Sequence, residues 1–396
     1  MVLGRFDELP PYAFPRLRAL LDATPPGSDP INMSIGEPQH PLPEFVLDIL
    51  NKESAGYGKY PPMGGTPDLL DAIQSWLTNR YDLAPDFLDK DTHLLPLNGT
   101  REGLFNACLT VTPPEKNGQQ PAVLIPNPFY QCYAGAAVTA GAEPVFLPSP
   151  ADNNFLPRFD DVPEETLART ACVFLCSPAN PQGTVADQAY WDHLLSLADQ
   201  YNFVVLADEC YAEIYTGAAP PGALSAAGPR GTLKNLLVFH SLSKRSNLPG
   251  LRSGFVAGDA NRIAQYKHFR SYGGAASPIP VQAAAAAAWR DEGHVEENRR
   301  LYRQKFDLAN NTLGNRFGFY RPAGGFYLWL DVGNGEEAAA KLWKEQGVRV
   351  LPGLYLGRDD PDTGPAGNPG FPFIRVALVN DVPQTQDALK RINACL

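Results

Sequence analysis

Four short segments hold residues whose types and spacing could do chemistry. The first is Ser241-Leu-Ser-Lys-Arg-Ser-Asn-Leu-Pro-Gly-Leu-Arg252. Most loop lysines are solvated charges, but Lys244 has a hydroxyl three residues before it and Arg252 eight after it, among small residues that allow close approach. A phosphate needs donors and positive charge, and the planar fork of arginine suits it. A lysine nucleophile needs a lowered pKa, which nearby positive charge can supply. The second segment, Leu206-Ala-Asp208-Glu-Cys-Tyr211, ends an apolar run. A carboxylate there is costly unless paired, either by capping a helix or by facing a cation such as a protonated ring nitrogen. Tyr211 would lie within reach of the same ring. The third, Ser177-Pro-Ala-Asn180-Pro-Gln-Gly183, follows another apolar run. Its Asn180 amide can donate to a ligand oxygen, although Asn-Pro also marks ordinary turns. The fourth, Asn98-Gly99-Thr100-Arg101-Glu102, precedes a helical stretch at 104–111. Free backbone N–H groups with a helix dipole behind them would cup a phosphate, and Thr100 as a simple N-cap is the plainer alternative.

These segments need a scaffold. Apolar runs at 122–126, 144–147, 171–176, 203–207, 236–239 and 254–257 fit strands covered on both faces. Amphipathic stretches at 130–140 and 188–201 lie between them, so a mainly parallel α/β sheet is expected, with helices on both sides. Three of the four segments then leave the carboxyl ends of strands, where open α/β sheets bind ligands. Thr66 followed by Pro67 predicts a helix running to about residue 81. An Ala-rich helix at 283–288 and a charged one at 294–316 lead towards a second unit with strands at 325–330 and 373–378 and a final helix at 382–395. A chain of 396 residues exceeds what one core usually holds. The expected division is an N-terminal arm and part of the small domain at 1–45, a large domain at 46–290, and a small C-terminal α/β domain at 291–396. Residues 357–372, dense in Gly, Pro and Asp, read as a long loop, either a solvated connection or a lid.

The formal net charge of −10, without a Lys/Arg-dense stretch, argues against nucleic acid or an anionic membrane surface as partner. A local basic pocket for a small anion remains compatible with it. The six cysteines form no Cys-x-x-Cys pair and the six histidines are scattered, so no metal is expected and the thiols read as reduced. His240, beside Ser241, reads as a satisfied buried histidine. No apolar run nears the roughly 20 residues that span a bilayer, and the first residues lack a secretory apolar region. A cytoplasmic protein is expected. No Gly-x-Gly-x-x-Gly follows an apolar run, and the P-loop and serine nucleophile-elbow motifs are absent from the sequence.

In this order and spacing the four segments resemble fold-type I pyridoxal-5′-phosphate (PLP)-dependent aminotransferases of class I/II. The resemblance runs from Ser34-Ile-Gly-Glu-Pro38 to Arg375. It implies that Lys244 holds PLP as a Schiff base, that Asp208 faces the pyridinium nitrogen, and that Asn180 and Tyr211 bind the ring O3′. Ser241, Arg252 and the backbone of Gly99, Thr100 and Arg101 would hold the phosphate. Tyr130 would stack on the ring, with Phe129 and Tyr133 as neighbouring alternatives. Arg375 would grip the substrate α-carboxylate, with Gly36 lining the same pocket. Tyr60, in Tyr60-Pro-Pro-Met-Gly-Gly65, would reach the phosphate of a neighbouring subunit, which implies a homodimer with composite active sites. The substrates implied are an amino acid and a 2-oxo acid.

Longer stretches are similar to the bacterial N-succinyldiaminopimelate aminotransferases of lysine biosynthesis. They are Pro11-Tyr-Ala-Phe-Pro-Arg-Leu-Arg-Ala-Leu20, Asn127-Pro-Phe-Tyr-Gln, Ser241-Leu-Ser-Lys-Arg-Ser-Asn and Glu297-Asn-Arg-Arg-Leu-Tyr-Arg-Gln-Lys-Phe306. The likeness implies N-succinyl-LL-2,6-diaminopimelate with 2-oxoglutarate/glutamate. Alternatives are an aspartate, alanine or aromatic aminotransferase or a PLP-dependent lyase. A PLP-sensing regulator is disfavoured, because the roughly 30 residues before Ser34 hold no helix-turn-helix. Gln182 stands where the family often has Thr. Arg16, Arg18, Arg101 and Arg270 are the candidates for a distal-carboxylate contact, and Arg101 is the choice.

Overall fold

The computed structural model describes residues 11–359 and 363–396. Its strands are β1 (Ile31–Asn32), β2 (Leu94–Leu97), β3 (Ala122–Asn127), β4 (Glu143–Pro148), β5 (Thr170–Cys176), β6 (Val204–Asp208), β7 (Leu236–Ser241), β8 (Gly254–Gly258), β9 (Tyr327–Asp331), β10 (Val348–Arg349), β11 (Leu351–Pro352) and β12 (Phe373–Ala377). Seven of them make one sheet in the order β2-β8-β7-β6-β5-β3-β4. From β4 to β7 all pairs are parallel, and β8 runs antiparallel to both β7 and β2. The α/β architecture with a large, mainly parallel sheet is therefore present.

Alternation along the strands feeds two cores. Val205 and Ala207 enter one, with Trp76, Trp191, Phe255 and Trp289; Val204 and Leu206 enter the other, with Leu104, Phe174, Phe239 and Tyr266. Each fully buried aromatic of this kind contributes roughly 1.5–3 kcal/mol. A three-stranded antiparallel sheet, β11-β12-β9, forms elsewhere with a core of its own containing Phe306, Leu330, Val376 and Leu389. Ile31 and Met33 join that core, and β1 pairs in parallel with β10.

Cap chemistry sets the clearest boundaries. The helix Pro67–Tyr81 starts where Thr66 Oγ1 accepts from the Leu69 N–H, and Gln188–Tyr201 where Asp187 accepts from Tyr190 at 2.8 Å. The helix Val382–Cys395 likewise starts at Asp381. Other boundaries differ from expectation. The stretch 130–140 is helical only over Cys132–Thr139, the Ala-rich run is the middle of Ile279–Arg290, and the charged helix is Gly293–Leu313, closed by Gly314 at φ 57°. β2 was not anticipated. Its Pro96 is tolerated because β2 is an edge strand, bonded only to β8. The helix expected at 104–111 begins four residues earlier, as Thr100–Val111. Thr100 is thus its first helical residue and not its cap; that place belongs to Gly99, at φ 89° and ψ 158°. Among the described residues no helix is long and apolar enough to cross a membrane.

Candidate active site

β5 and β6 end level with one another, Cys176 beside Asp208, and β7 runs on from Phe239, beside Asp208, to Ser241. β2 shares their direction across β8, so its exit at Leu97 lies on the same edge, as does the start of β8 at Gly254. At this edge a cavity of about 540 Å³ is lined by Gly36, Thr100, Arg101, Tyr130, Asn180, Asp208, Tyr211, Ser241, Lys244, Arg252 and Arg375. Two sequence-nominated residues do not border it. Gly99 lies behind Arg252, and Tyr60 is fully exposed on the surface.

Lys244 stands in a one-turn helix, Leu242–Arg245, capped by Ser241, whose Oγ accepts from the Ser243 N–H at 3.1 Å. The Lys244 Nζ donates to the Gly36 carbonyl. Burial pulls its pKa down to about 8; Arg375 and Arg101 act the same way, and Cys210 and Glu37 oppose. Glycine at 36 leaves room for Tyr327, since a Cβ there would fall 1.8 Å from the Tyr327 hydroxyl.

Asp208 is buried, and burial pushes its pKa up. Its Oδ2 accepts from the Tyr133 hydroxyl at 2.7 Å and its Oδ1 from the Cys210 N–H at 3.3 Å. A carboxylate so placed favours a cationic partner. The Tyr133 ring stacks on Phe174, centroids 4.4 Å apart at 8°, and the Phe129 ring packs on Phe146 at 5.0 Å. Tyr130, half-buried at the cavity wall, accepts a hydrogen bond from Arg101 Nε.

The opposite wall comes from β12. Arg375 is buried; its Nη1 donates to Asn180 Oδ1 at 3.0 Å and its Nη2 to the Ser34 carbonyl at 2.8 Å. The guanidinium lies 4.3 Å from the Tyr327 ring centroid, and its Nε has no partner among the described residues. With Asn180 Oδ1 engaged, the amide NH2 is left as a donor. The Tyr211 and Tyr327 hydroxyls are 3.2 Å apart. At the other end, Arg252 has φ 54° and donates to the Pro249 and Asn98 carbonyls at 2.9 and 3.1 Å. A Cβ on Gly99 would lie 2.2 Å from Arg252 Nη2. The turn at Gly183 (φ 72°) keeps its Gly183 N–H to Ala179 carbonyl bond at 2.8 Å with Gln182 buried in it.

Among the four cations considered for a distal group, only Arg101 borders the cavity. Arg270 is buried and donates to the Pro96 and Ala275 carbonyls at 2.6 and 2.9 Å. Arg16 lies over the Tyr355 ring at 3.9 Å, and Arg18 is exposed. Sequence reasoning did not find Tyr12, Phe14, Cys210, Ser243 or Tyr327, which also line the cavity. Of these only Ser243 carried a signal, as a second hydroxyl beside Lys244. The part of 357–372 within the described residues does not border the cavity and is pinned: Asn127 Oδ1 accepts from the Arg358 N–H at 2.9 Å, and Asn368 is buried. Residues 360–362 of that loop, and residues 1–10 of the N-terminal arm, lie outside the described residues. His240 is buried, with Tyr81 Oη 3.2 Å away. All six cysteines are free, and no group of three His, Cys, Asp or Glu side chains among the described residues could hold a metal.

The donor set fits PLP. One cavity brings together an amine of lowered pKa, a buried carboxylate, Arg252 with two serine hydroxyls that could hold a phosphate, and a guanidinium whose Nε is unengaged among the described residues. A sequence profile of aminotransferase class I and II matches residues 28–382. An LL-diaminopimelate aminotransferase of Desulforudis audaxviator is 32% identical over 402 residues, spanning 99% of this chain and 97% of its own. The crystal structure of an aminotransferase from Neisseria meningitidis superposes with a TM-score of 0.93 at 42% identity, covering 99% of both chains. A probable N-succinyldiaminopimelate aminotransferase from Thermus thermophilus gives a TM-score of 0.85 at 25% identity, covering 97% of this chain and 100% of its own. The chain belongs to the class I and II aminotransferases, PLP-dependent enzymes that act on amino acids and 2-oxo acids.

Proposed function

We propose that this aminotransferase takes a diaminopimelate-type donor, N-succinyl-LL-2,6-diaminopimelate, and passes its amino group to 2-oxoglutarate to give glutamate. The observation that carries the reading is a buried Arg375, with Nε unengaged, in the same cavity as the Lys244 amine, while Arg101 stands at the rim. An α-carboxylate on Arg375 would bring the α-amino group towards Lys244 and leave a long distal arm to run towards Arg101. Unblocked LL-diaminopimelate is the second reading, favoured by the name of the Desulforudis relative.

PLP, when bound, supplies a ring that accepts electrons as a Cα proton leaves. The residues do the rest. Lys244 would hold the cofactor aldehyde, and its free Nζ would move the Cα proton; a pKa near 8 suits an amine to that task at neutral pH. Asp208 would keep the ring nitrogen protonated. Asn180 Nδ2 and the Tyr211 hydroxyl would hold the ring oxygen, and Tyr130 would cover the ring. Ser241, Arg252 and the backbone of Gly99, Thr100 and Arg101 hold the phosphate, while Arg375 and Gly36 receive the α-carboxylate. Tyr60, exposed on this chain, contacts the phosphate of a partner, so the working form is a homodimer with composite sites. The domain division at 45/46 and 290/291 belongs to the same reading, supported by Ile31 and Met33 packing with C-terminal residues. Unpaired thiols fit a cytoplasmic setting.

A half-reaction screen tests the substrate. Succinylated diaminopimelate, free LL-diaminopimelate, glutamate, aspartate, alanine and phenylalanine are each mixed with holoenzyme, and conversion of the cofactor from aldehyde to amine is followed by absorbance. Fastest conversion by the succinylated donor supports the first reading, by the free donor the second, and by neither sinks both. Arg101→Ala should weaken long-armed donors selectively; equal weakening of all donors refutes its distal role.

A further inference from the structure

The stretch Glu297-Asn-Arg-Arg-Leu-Tyr-Arg-Gln-Lys-Phe306 stood out in the sequence, yet none of its residues borders the cavity. On the helix Gly293–Leu313 its Asn298, Tyr302 and Lys305 fall at i, i+4 and i+7, one face. All three are buried, and all three converge on His40. Asn298 Oδ1 lies 2.6 Å from His40 Nδ1, the Lys305 Nζ lies 2.7 Å from His40 Nε2, and the Tyr302 ring packs on the imidazole with centroids 4.6 Å apart.

The hydrogen-bond chemistry has one consistent solution. Asn298 Nδ2 donates to the Lys244 and Arg245 carbonyls at 3.2 and 3.3 Å, which fixes which end of the amide faces the ring. His40 Nδ1 must then carry the hydrogen that Asn298 Oδ1 accepts. Nε2 is left as the acceptor for Lys305, whose amine also donates to the Leu378 carbonyl at 3.0 Å. His40 is therefore held neutral in a single tautomer. Burial pulls its pKa down to about 4, with Lys305 adding to the effect. Lys305 can donate whether charged or neutral, so the arrangement does not depend on its charge.

We infer that His40 is a positioning residue for Lys244. Four residues before it, the Gly36 carbonyl accepts from the free Lys244 amine; through Asn298, the same ring steadies the Lys244 main chain. His40 is thus tied to the Lys244 main chain through Asn298, and to the Gly36 segment by four residues of chain, without touching the lysine. The inference rests on the role given to Lys244 above.

The test uses holoenzyme variants His40→Phe, His40→Gln and Lys305→Met. Three quantities are read: the pH midpoint of the absorbance change of the Lys244-bound cofactor, kcat against KM, and the melting temperature. His40→Phe keeps the packing on Tyr302 but removes both hydrogen bonds. It should shift the midpoint by about 0.5–1 unit. It should also lower kcat by about tenfold or more, towards the ~100-fold that a misplacement of about 1 Å brings, with little change in KM. His40→Gln, which has a donor and an acceptor, should recover part of both losses. Lys305→Met should move the midpoint and kcat in the same direction by less. A lower melting temperature with an unmoved midpoint and kcat would mean a structural role only and would overturn the inference. If His40→Phe does not fold, unmoved values in Lys305→Met overturn it equally. Borohydride reduction and peptide mapping keep the two levels apart. An adduct on another lysine refutes the role of Lys244, whereas an adduct on Lys244 with an unmoved midpoint refutes only the role of His40.

Discussion

Tyr133→Phe is a sharp test of how the buried carboxylate is kept ready for a cation. The change removes one oxygen and leaves the ring stacked on Phe174. Asp208 then loses its donor at 2.7 Å on Oδ2 and keeps Cys210, through its thiol and through its N–H at 3.3 Å on Oδ1. A hydrogen bond to a charged group is worth about 1.5–3 kcal/mol, which at 1.4 kcal/mol per decade corresponds to roughly 10- to 150-fold. The sign follows from which form the hydroxyl favours. It stabilises the anion, so its loss raises the Asp208 pKa beyond the rise that burial already causes and weakens the hold on a protonated ring nitrogen. The assay is titration of apoenzyme with PLP, followed by absorbance and intrinsic fluorescence, alongside kcat. PLP should bind about 10- to 150-fold more weakly, and kcat should fall as well. Affinity within about twofold of the parent, in a variant of unchanged melting temperature, would refute the reasoning.

Two further outcomes follow from local geometry. Gly99→Ala forces a side chain onto φ 89°, ψ 158°, a region used almost only by glycine and costing about 1–3 kcal/mol, and drives a Cβ against Arg252. Affinity for PLP should drop by more than affinity for phosphate-free pyridoxal, and equal losses would place Gly99 outside the phosphate cup. Glu209, buried under the site, accepts from the Tyr81 hydroxyl at 2.5 Å and the Ala223 N–H at 2.8 Å. Burial lifts its pKa from 4.5 to about 7. The folded protein then holds a proton that the unfolded chain has released, so this stabilising contribution is full below pH 4.5 and is lost as pH rises through about 7. The amount is about 3 kcal/mol. Glu209→Gln should flatten that decline in urea unfolding between about pH 5 and 8, and an unchanged slope would refute the shift.

Much of the scaffold was legible because its signals are local. The helices Pro67–Tyr81, Gln188–Tyr201 and Val382–Cys395 begin at Thr66, Asp187 and Asp381, where a side-chain oxygen next to a helical pattern fixes the boundary. β2 escaped because four residues with a proline resemble a loop until β8 is beside them. The start of Thr100–Val111 escaped because its cap is a glycine, with no side chain to read. In the site, residue types nominated Asp208, Asn180 and Lys244 and the family resemblance added Arg375, but neither gave the contacts among them. Tyr133 meets Asp208 across 75 residues and Arg375 meets Asn180 across 195, and only strand register and packing bring these pairs together. Arg270 shows the converse: a free cation by sequence, it is consumed by the Pro96 and Ala275 carbonyls.

The cavity is stitched from positions that run from Tyr12 to Arg375, so nearly the entire polypeptide must be in place before all of it exists. A nascent or damaged chain lacking its last strand would have neither Arg375 nor the β12 that sets the facing wall. A complete substrate pocket is thereby reserved for finished molecules. Once captured, the cofactor draws early and late segments into one unfolding event, because mass action on the bound form acts on all of them together.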